Sequence, residues 1–137
     1  MTMAHQSPAV IQTVLLVEDE VIARVMLAEY LRDCGYKVIE AADTDEALVV
    51  LQHAEIEVDV VLCGISKTGS AGGFALSQFI RSTRPWTHVV LAGNHARAVD
   101  AAGELCEAGP TLSKPYEPQV VLDRIKRLLA ARPKRKK

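Results

Sequence analysis

Short apolar runs alternate five times with longer amphipathic segments along this chain, and this alternation limits its fold more than any other feature. The first run is Thr13–Val17, TVLLV, and the third is Val60–Cys63, VVLC. Apolar runs of this length are typical of strands that are buried on both faces. Buried strands that alternate with helices form a parallel sheet, and right-handed crossovers favour the doubly wound order. We therefore expect a three-layer α/β fold with five strands and five helices, (βα)5.

The first two helices carry the clearest local signals. In the first, apolar residues recur at helical spacing until Gly35, which is a typical helix stop. Its predicted buried side consists of Val21, Ile22, Val25, Met26, Tyr30 and Leu31. In the second, Asp43 and Glu46 form a capping box, and we expect that helix to continue to about residue 54.

The remaining predicted elements continue the alternation of strands and helices. Strands are predicted over residues 36–41, 88–92 and 111–113, and helices over residues 73–82, 96–108 and 117–130. The fourth helix is rich in alanine and has few large apolar side chains, so we expect it to pack shallowly and to be more mobile than its neighbours.

Length and charge define the domain and its class. A chain of 137 residues with 49% apolar residues can bury one core, so we assign residues 13–131 to one domain, residues 1–12 to an N-terminal extension and residues 132–137 to a basic disordered tail. The tail carries five basic residues, but no aromatic or helix-turn-helix segment accompanies it, which argues against nucleic acid as a partner. The sequence has no apolar run long enough for a membrane span and no signal peptide, so we expect a cytoplasmic protein.

Cysteine and histidine give no sign of a metal site or a disulfide framework. Cys34, Cys63 and Cys106 are odd in number and far apart in the sequence, so we expect buried free thiols. The four histidines show no metal-ligand spacing.

The end of the third strand is the position where chemistry is expected, and it carries no reactive group. In an open parallel sheet, ligands bind outside the carboxyl ends of the strands, and Gly64 stands at that point. No Asp or Glu occurs from Val60 through Val99. The loop GISKTGS that begins at Gly64 lacks the lysine of a phosphate-binding G-x-x-x-x-G-K-[ST] loop, which argues against nucleotide binding.

Several motifs together resemble the receiver domain of bacterial two-component response regulators across nearly the whole chain. They are VLLVEDE, the GY near position 35, EAADTDEAL, DVVLCGI followed by GS and GGF, and SKPYEP. The resemblance implies a flavodoxin-like sheet of order 2-1-3-4-5. It also implies that relatives accept a phosphoryl group from a histidine kinase onto an aspartate, with magnesium.

The resemblance assigns roles to individual residues. Glu18 and Asp19 match the acidic pair of the family, in which Asp19 would bind magnesium directly and Glu18 mostly through water. Lys114 matches the lysine that contacts the phosphoryl group, and Pro115 follows it in what is usually a cis peptide. Gly64, however, stands where the family carries its phosphoacceptor aspartate.

The switch positions depart from the family pattern as well. Ala92 or Gly93 replaces the hydroxyl residue after the fourth strand, and Thr111 replaces the aromatic residue of the fifth. Without an acceptor, phosphorylation has no means of favouring one conformation over another. The sequence therefore favours a stand-alone pseudo-receiver that is not an enzyme, requires no cofactor and binds magnesium weakly at best.

Three interpretations stay open. In the first, the protein docks a histidine kinase or another signalling protein through helix one, or through helices four and five with Tyr116. In the second, it accepts a phosphoryl group at an unusual residue such as Ser66 or Asp19. In the third, it is a degenerate domain that forms a homodimer through helices four and five. The acids at positions 18–20 also have a simpler explanation, because acidic residues are favoured at helix N-termini.

Overall fold

The computed structural model describes residues 11–64 and 72–108, together with Asp123 and Arg127. Eight elements lie in the two continuous ranges. In chain order they are β1 (Thr13–Val17), α1 (Val21–Asp33), β2 (Lys37–Ala41), α2 (Thr44–Leu51), β3 (Val60–Cys63), α3 (Gly72–Thr83), β4 (His88–Leu91) and α4 (His95–Ala108). Asp123 and Arg127 are helical. The predicted fifth strand, the rest of the fifth helix and Ser66 lie outside the described residues. So do residues 1–10 of the predicted N-terminal extension and the predicted basic tail.

The four described strands form one parallel sheet in the order β2-β1-β3-β4. At the centre, Val14 pairs with Val38 on one side and with Val60 on the other, and Leu62 pairs with Val90. The predicted flavodoxin-like fold and the order of these four strands are confirmed. The order also brings the carboxyl ends of β1 and β3 side by side, which is where the candidate site lies.

Alternate strand residues serve two separate hydrophobic cores. Val14 and Leu16 pack on the face that α1 and α4 cover. Leu15 and Val17 pack on the opposite face, under α2 and α3. All four side chains are fully buried, because side chains of a strand point alternately to the two faces and both faces are covered. The three-layer arrangement therefore follows from the uninterrupted apolar runs.

The predicted buried side of α1 is wrong at its first turn. Val21, Ile22 and Val25 are 57%, 48% and 43% exposed. The residues that face the sheet are Ala23, Leu27, Ala28, Tyr30 and Leu31. The alanines let the helix approach the sheet closely, and this rotates the three β-branched residues of the first turn outward. Tyr30 and Leu31 lie on the buried side as predicted, and Met26 is partly buried.

The packing of α4 also differs from expectation. Ala98, Val99 and Ala102 are fully buried against the sheet and α1, so the helix does not pack shallowly. Small side chains cover little area each, but they allow close contact between a helix and its neighbours.

A disulfide joins Cys34 to Cys106, so the prediction of free thiols is wrong for these two residues. Cys34 is the C-cap of α1 and Cys106 lies in the last turns of α4. Their α-carbons are 5.4 Å apart although 72 residues separate them in the sequence. Spacing along the chain could not reveal this proximity. Cys63 is a buried thiol outside this disulfide, as predicted.

Arg84, just after α3, connects the end of α3 to the end of α2 and to the turn that follows α2. Its buried guanidinium donates hydrogen bonds to the carbonyls of Leu51, His53 and Ile56 at 2.8 to 3.1 Å. These carbonyls lie at the end of α2 and in the turn that follows, where a helix leaves carbonyls without helical partners. Arg84 therefore stabilises the end of α2 at Leu51, three residues before the predicted end.

Candidate functional site

Three residues that directly follow strands form the carboxyl edge of the sheet. Glu18 follows β1, Gly64 follows β3 and Ala92 follows β4 one residue after Leu91. Each of them donates a backbone hydrogen bond to a carbonyl at the end of a neighbouring strand. The Glu18 N–H donates to the Ala41 carbonyl at 3.0 Å. The Gly64 N–H donates to the Val17 carbonyl at 2.9 Å, and the Ala92 N–H donates to the Cys63 carbonyl at 2.8 Å. The backbone at the candidate site thus continues the hydrogen bonding of the sheet by one residue beyond each of these strands.

The side chain of Glu18 is completely buried. Its Oε2 accepts a hydrogen bond from the Glu20 N–H at 3.0 Å, and its backbone carbonyl accepts one from Arg24 Nη1 at 2.9 Å. A buried carboxylate is unfavourable unless polar groups surround it, so these contacts limit where the side chain can lie.

Gly64 fits this edge because it has no side chain. A Cβ built on Gly64 would lie 2.6 Å from Glu18 Oε1 and 3.0 Å from the Cβ of Ala98 in α4. Among the glycines with a described backbone, Gly35 and Gly93 have a positive φ and Gly64 does not. The requirement at position 64 is therefore space for Glu18 and Ala98, and the backbone conformation itself would admit other residues.

The three acids after β1 have three different environments. Glu18 is buried, Asp19 is exposed, and Glu20 is the N-cap of α1. The Glu20 carboxylate accepts hydrogen bonds from the backbone N–H groups of Ile22 and Ala23 at 3.1 and 3.3 Å. The simpler explanation of a helix-capping acid therefore holds for Glu20 but does not account for Glu18.

The described residues do not fit a magnesium ion between Glu18 and position 64. Mg²⁺ requires near-octahedral oxygen coordination and usually keeps several waters. Glu18 has no exposed surface, its Oε1 lies against Gly64, and the glycine offers no side-chain oxygen. Within residues 11–64 and 72–108, His, Cys, Asp and Glu form no group of three or more that could hold a metal. Asp19 is the exposed carboxylate of the predicted pair.

The predicted switch positions after β4 form a tight turn into α4. Ala92 is buried, and Gly93 has a φ of +88°, a conformation that favours glycine. Asn94 then accepts a hydrogen bond from the Arg97 N–H at 2.8 Å on its side-chain oxygen. Neither Ala92 nor Gly93 carries a hydroxyl group. The other predicted site residues, Thr111, Lys114, Pro115 and Tyr116, lie outside the described residues.

An exposed apolar patch lies beside this edge, formed by three of the apolar residues that recur at helical spacing in α1. We call Val21, Ile22 and Val25 the α1 patch. They occupy the first turns of α1, immediately after the acids that follow β1. Arg24, between them, forms an ion pair with Glu40 of β2 at 3.4 Å. Exposure of three neighbouring β-branched residues is the kind of signal that marks a contact surface.

A large cavity lies at the opposite edge of the sheet, away from Gly64. Its volume is about 820 Å³, and its lining includes Thr13, Lys37 and Asp59 at the amino ends of β1, β2 and β3. Asp59 accepts a hydrogen bond from the Thr13 N–H at 2.8 Å, so this acid has a structural role.

No helix in the described part of the chain is long and apolar enough to cross a membrane.

Comparison with known proteins agrees with this geometry. The family model of the response regulator receiver domain matches residues 14–126. The chain is 27% identical to the transcriptional regulatory protein AruR of Pseudomonas aeruginosa over 124 residues, which cover 88% of this chain and 50% of AruR. It is 28% identical to the regulatory protein VirG of Agrobacterium tumefaciens over 121 residues, which cover 88% of this chain and 44% of VirG. The chain thus spans about half the length of these curated relatives.

Solved structures give the same result for the fold. The chemotaxis response regulator CheY4 of Vibrio cholerae matches with 28% identity and a TM-score of 0.55, over 87% of this chain and 99% of that one. The signal receiver domain of an HD domain-containing protein from Pseudomonas fluorescens matches with 25% identity and a TM-score of 0.55, over 88% of this chain and 96% of that one. The parallel sheet, the acids after β1 and the family match over most of the sequence agree: the chain belongs to the response regulator receiver domain family.

Proposed function

We propose that this chain is a pseudo-receiver, a receiver domain that takes part in two-component signalling by binding a protein and is not phosphorylated at the end of β3. The observation that carries the proposal is the packing of Gly64 against Glu18 and Ala98. Position 64 has no nucleophilic side chain, and a side chain there would require the Glu18 carboxylate to shift.

The chemistry of phosphoryl transfer supports this assignment. The reaction needs a positioned nucleophile and positive charge to stabilise the transferred group. Glu18 is a carboxylate, but it is buried and packed against Gly64. A phosphoryl donor therefore meets no exposed carboxylate at the end of β3. Since phosphorylation cannot then shift the conformation, we propose that the protein binds its partner constitutively.

The α1 patch supports a protein partner. Val21, Ile22 and Val25 expose apolar surface next to the carboxyl edge, where burial against another protein would be favourable. Arg24 and the acids Asp19 and Glu20 border this patch and provide a polar rim. We propose a histidine kinase or another signalling protein as the partner, in contact with this part of α1.

Intact-mass measurement after incubation with acetyl phosphate and magnesium tests the missing acceptor. We expect no phosphoryl adduct on the native chain, whereas a receiver domain with an acceptor aspartate, treated in parallel, should gain one. An adduct on the native chain would overturn the proposal and favour the alternative of an unusual acceptor. Asp19 is the described candidate for that role because its side chain is exposed at this edge; loss of the adduct in Asp19→Asn would identify it.

Binding of purified histidine-kinase core domains, measured by calorimetry, tests the docking surface. Val25→Lys places a charge within the α1 patch and should weaken binding about tenfold or more, since an unpaired charge would be buried at the interface. Val49→Lys is the matched control, because Val49 is a similarly exposed valine on α2, at 56%. Equal affinity of the two variants would exclude the α1 patch as the contact surface.

A further inference from the structure

The helix α4 is attached to α1 by a covalent bond near its C-terminal end. The Cys34–Cys106 disulfide joins the residue that caps α1 to the last turns of α4. Both residues are buried, with 0% and 6% of their surface exposed. The bond therefore lies inside the layer formed by the two helices, and it holds together segments that are 72 residues apart in the sequence.

Small side chains make the closest noncovalent contacts of α4 with the sheet and α1. Its fully buried side chains in the described part of the chain are Ala98, Val99 and Ala102, and none of them is larger than valine. The hydroxyl of Tyr36 donates a hydrogen bond to the carbonyl of Leu105. Since the free energy gained by burial grows with apolar area, small residues stabilise the docking of α4 less than leucines would. The disulfide adds a covalent restraint to this packing.

The other end of α4 closes the candidate site. Ala98 lies near the N-terminal end of the helix, and its Cβ is 3.0 Å from the position of a Cβ on Gly64. Ala98 and Cys106 are eight residues apart, about 12 Å along the helix axis. Because a helix of two turns moves as a rigid unit, a bond at Cys106 also restrains Ala98. The disulfide and the carboxyl edge are therefore mechanically connected through α4.

We propose that the Cys34–Cys106 disulfide is a thiol–disulfide modification site, and that its reduction by a dithiol releases α4 from α1 and from the Gly64 edge. In this step a thiolate of the dithiol attacks one sulfur and the Sγ–Sγ bond breaks; the second thiol then resolves the mixed disulfide. Cys34 and Cys106 each gain a proton, and the dithiol becomes a disulfide. The reaction is reversed by a disulfide oxidant.

One property of the fold favours a reversible role. The core under α2 and α3, which includes Leu15 and Val17 of β1, contains no residue of α4. Reduction can therefore change one helix while the rest of the fold persists.

Hydrogen exchange measured by mass spectrometry on the full chain tests the proposal, with dithiothreitol as the reductant and oxidised dithiothreitol as the oxidant. We expect amides of α4 to exchange about tenfold faster after reduction, while β1 and β3 keep their protection. Reoxidation should restore the slow exchange. Alkylation of the native protein should label Cys34 and Cys106 only after reduction.

Variants separate the disulfide from other effects of the reductant. Cys34→Ser with Cys106→Ser should exchange like the reduced chain and show no further response to dithiothreitol. Cys63→Ala, which removes the cysteine outside the disulfide, should keep the full response. The proposal is overturned if the purified chain contains no Cys34–Cys106 bond under non-reducing conditions, or if reduction leaves α4 exchange unchanged. Loss of protection throughout the sheet would also overturn it, because the bond would then maintain the whole fold.

Discussion

The Glu18 carboxylate lies directly against Gly64, with its Oε1 2.6 Å from the place that a Cβ on the glycine would occupy. Glu18 thus fills the space that a side chain at position 64 would need. Gly64→Ala should therefore lower the free energy of unfolding by about 2 kcal/mol through overpacking. Glu18→Ala in the same chain should remove most of this loss, which gives a favourable coupling in a double-mutant cycle measured by urea denaturation.

Gly93→Ala is the matched control for that cycle. A Cβ at Gly93 would meet no atom within 4 Å, but its φ of +88° disfavours alanine. Its destabilisation should be independent of Glu18. Additive effects of Gly64→Ala and Glu18→Ala would contradict the steric relationship between these two residues.

The same packing predicts how phosphoryl acceptance could be introduced. Gly64→Asp alone should gain little or no phosphoryl group from acetyl phosphate and magnesium, since Glu18 occupies the required space. Gly64→Asp combined with Glu18→Asp, which shortens the neighbouring acid by one methylene, should gain an adduct by intact mass. Efficient labelling of the single variant would mean that Glu18 moves aside easily.

Arg84 provides a test of the fold away from the site. Arg84→Ala removes the hydrogen bonds to the carbonyls of Leu51, His53 and Ile56. The free energy of unfolding should therefore fall by about 3 kcal/mol. Arg84→Lys should restore little, because one ammonium cannot match the geometry of the guanidinium. Arg81→Ala, at an exposed position in α3, should change the denaturation midpoint very little. Similar midpoints for the alanine variants at 81 and 84 would argue against the proposed capping.

Two buried tyrosines next to α4 should respond differently to loss of their hydroxyl groups. Tyr36 donates to the Leu105 carbonyl, so Tyr36→Phe should lower the free energy of unfolding by about 1 kcal/mol. The Tyr30 hydroxyl has no hydrogen-bond partner among the described residues, so Tyr30→Phe should be neutral or slightly stabilising. Thermal denaturation of the two variants measures the difference. A larger loss for Tyr30→Phe would reverse the assignment.

The same two tyrosines predict a loss of stability at alkaline pH. Burial raises the pKa of Tyr36 above 10.0, and burial together with the charge of Glu107 raises the pKa of Tyr30. Above pH 10 the unfolded chain releases these protons before the folded chain does, so the free energy of unfolding falls as pH rises. This contribution is fully present below pH 10. Urea denaturation across that range should show a shallower decline in the Tyr30→Phe, Tyr36→Phe double variant, and an unchanged slope would contradict the prediction.

Local features of the sequence determined the layout of the fold. The runs at Thr13–Val17 and Val60–Cys63 become strands with those bounds, and the Asp43–Glu46 capping box begins α2. The Glu46 carboxylate completes the box by accepting from the Ala42 N–H at 2.6 Å. These features were predictable because periodicity and capping depend on residues close together in the chain. The absence of a reactive side chain at Gly64 was visible for the same reason.

Only the tertiary structure decided how distant residues meet. The packing of helices on the sheet brings together Cys34 and Cys106, Gly64 and Ala98, and Arg84 and Leu51. The outward rotation of the α1 patch has the same origin, because the small residues of α1 determine which side can approach the sheet most closely. The side-chain period of a helix shows that one face is apolar, but the buried face is chosen by the surface it packs against.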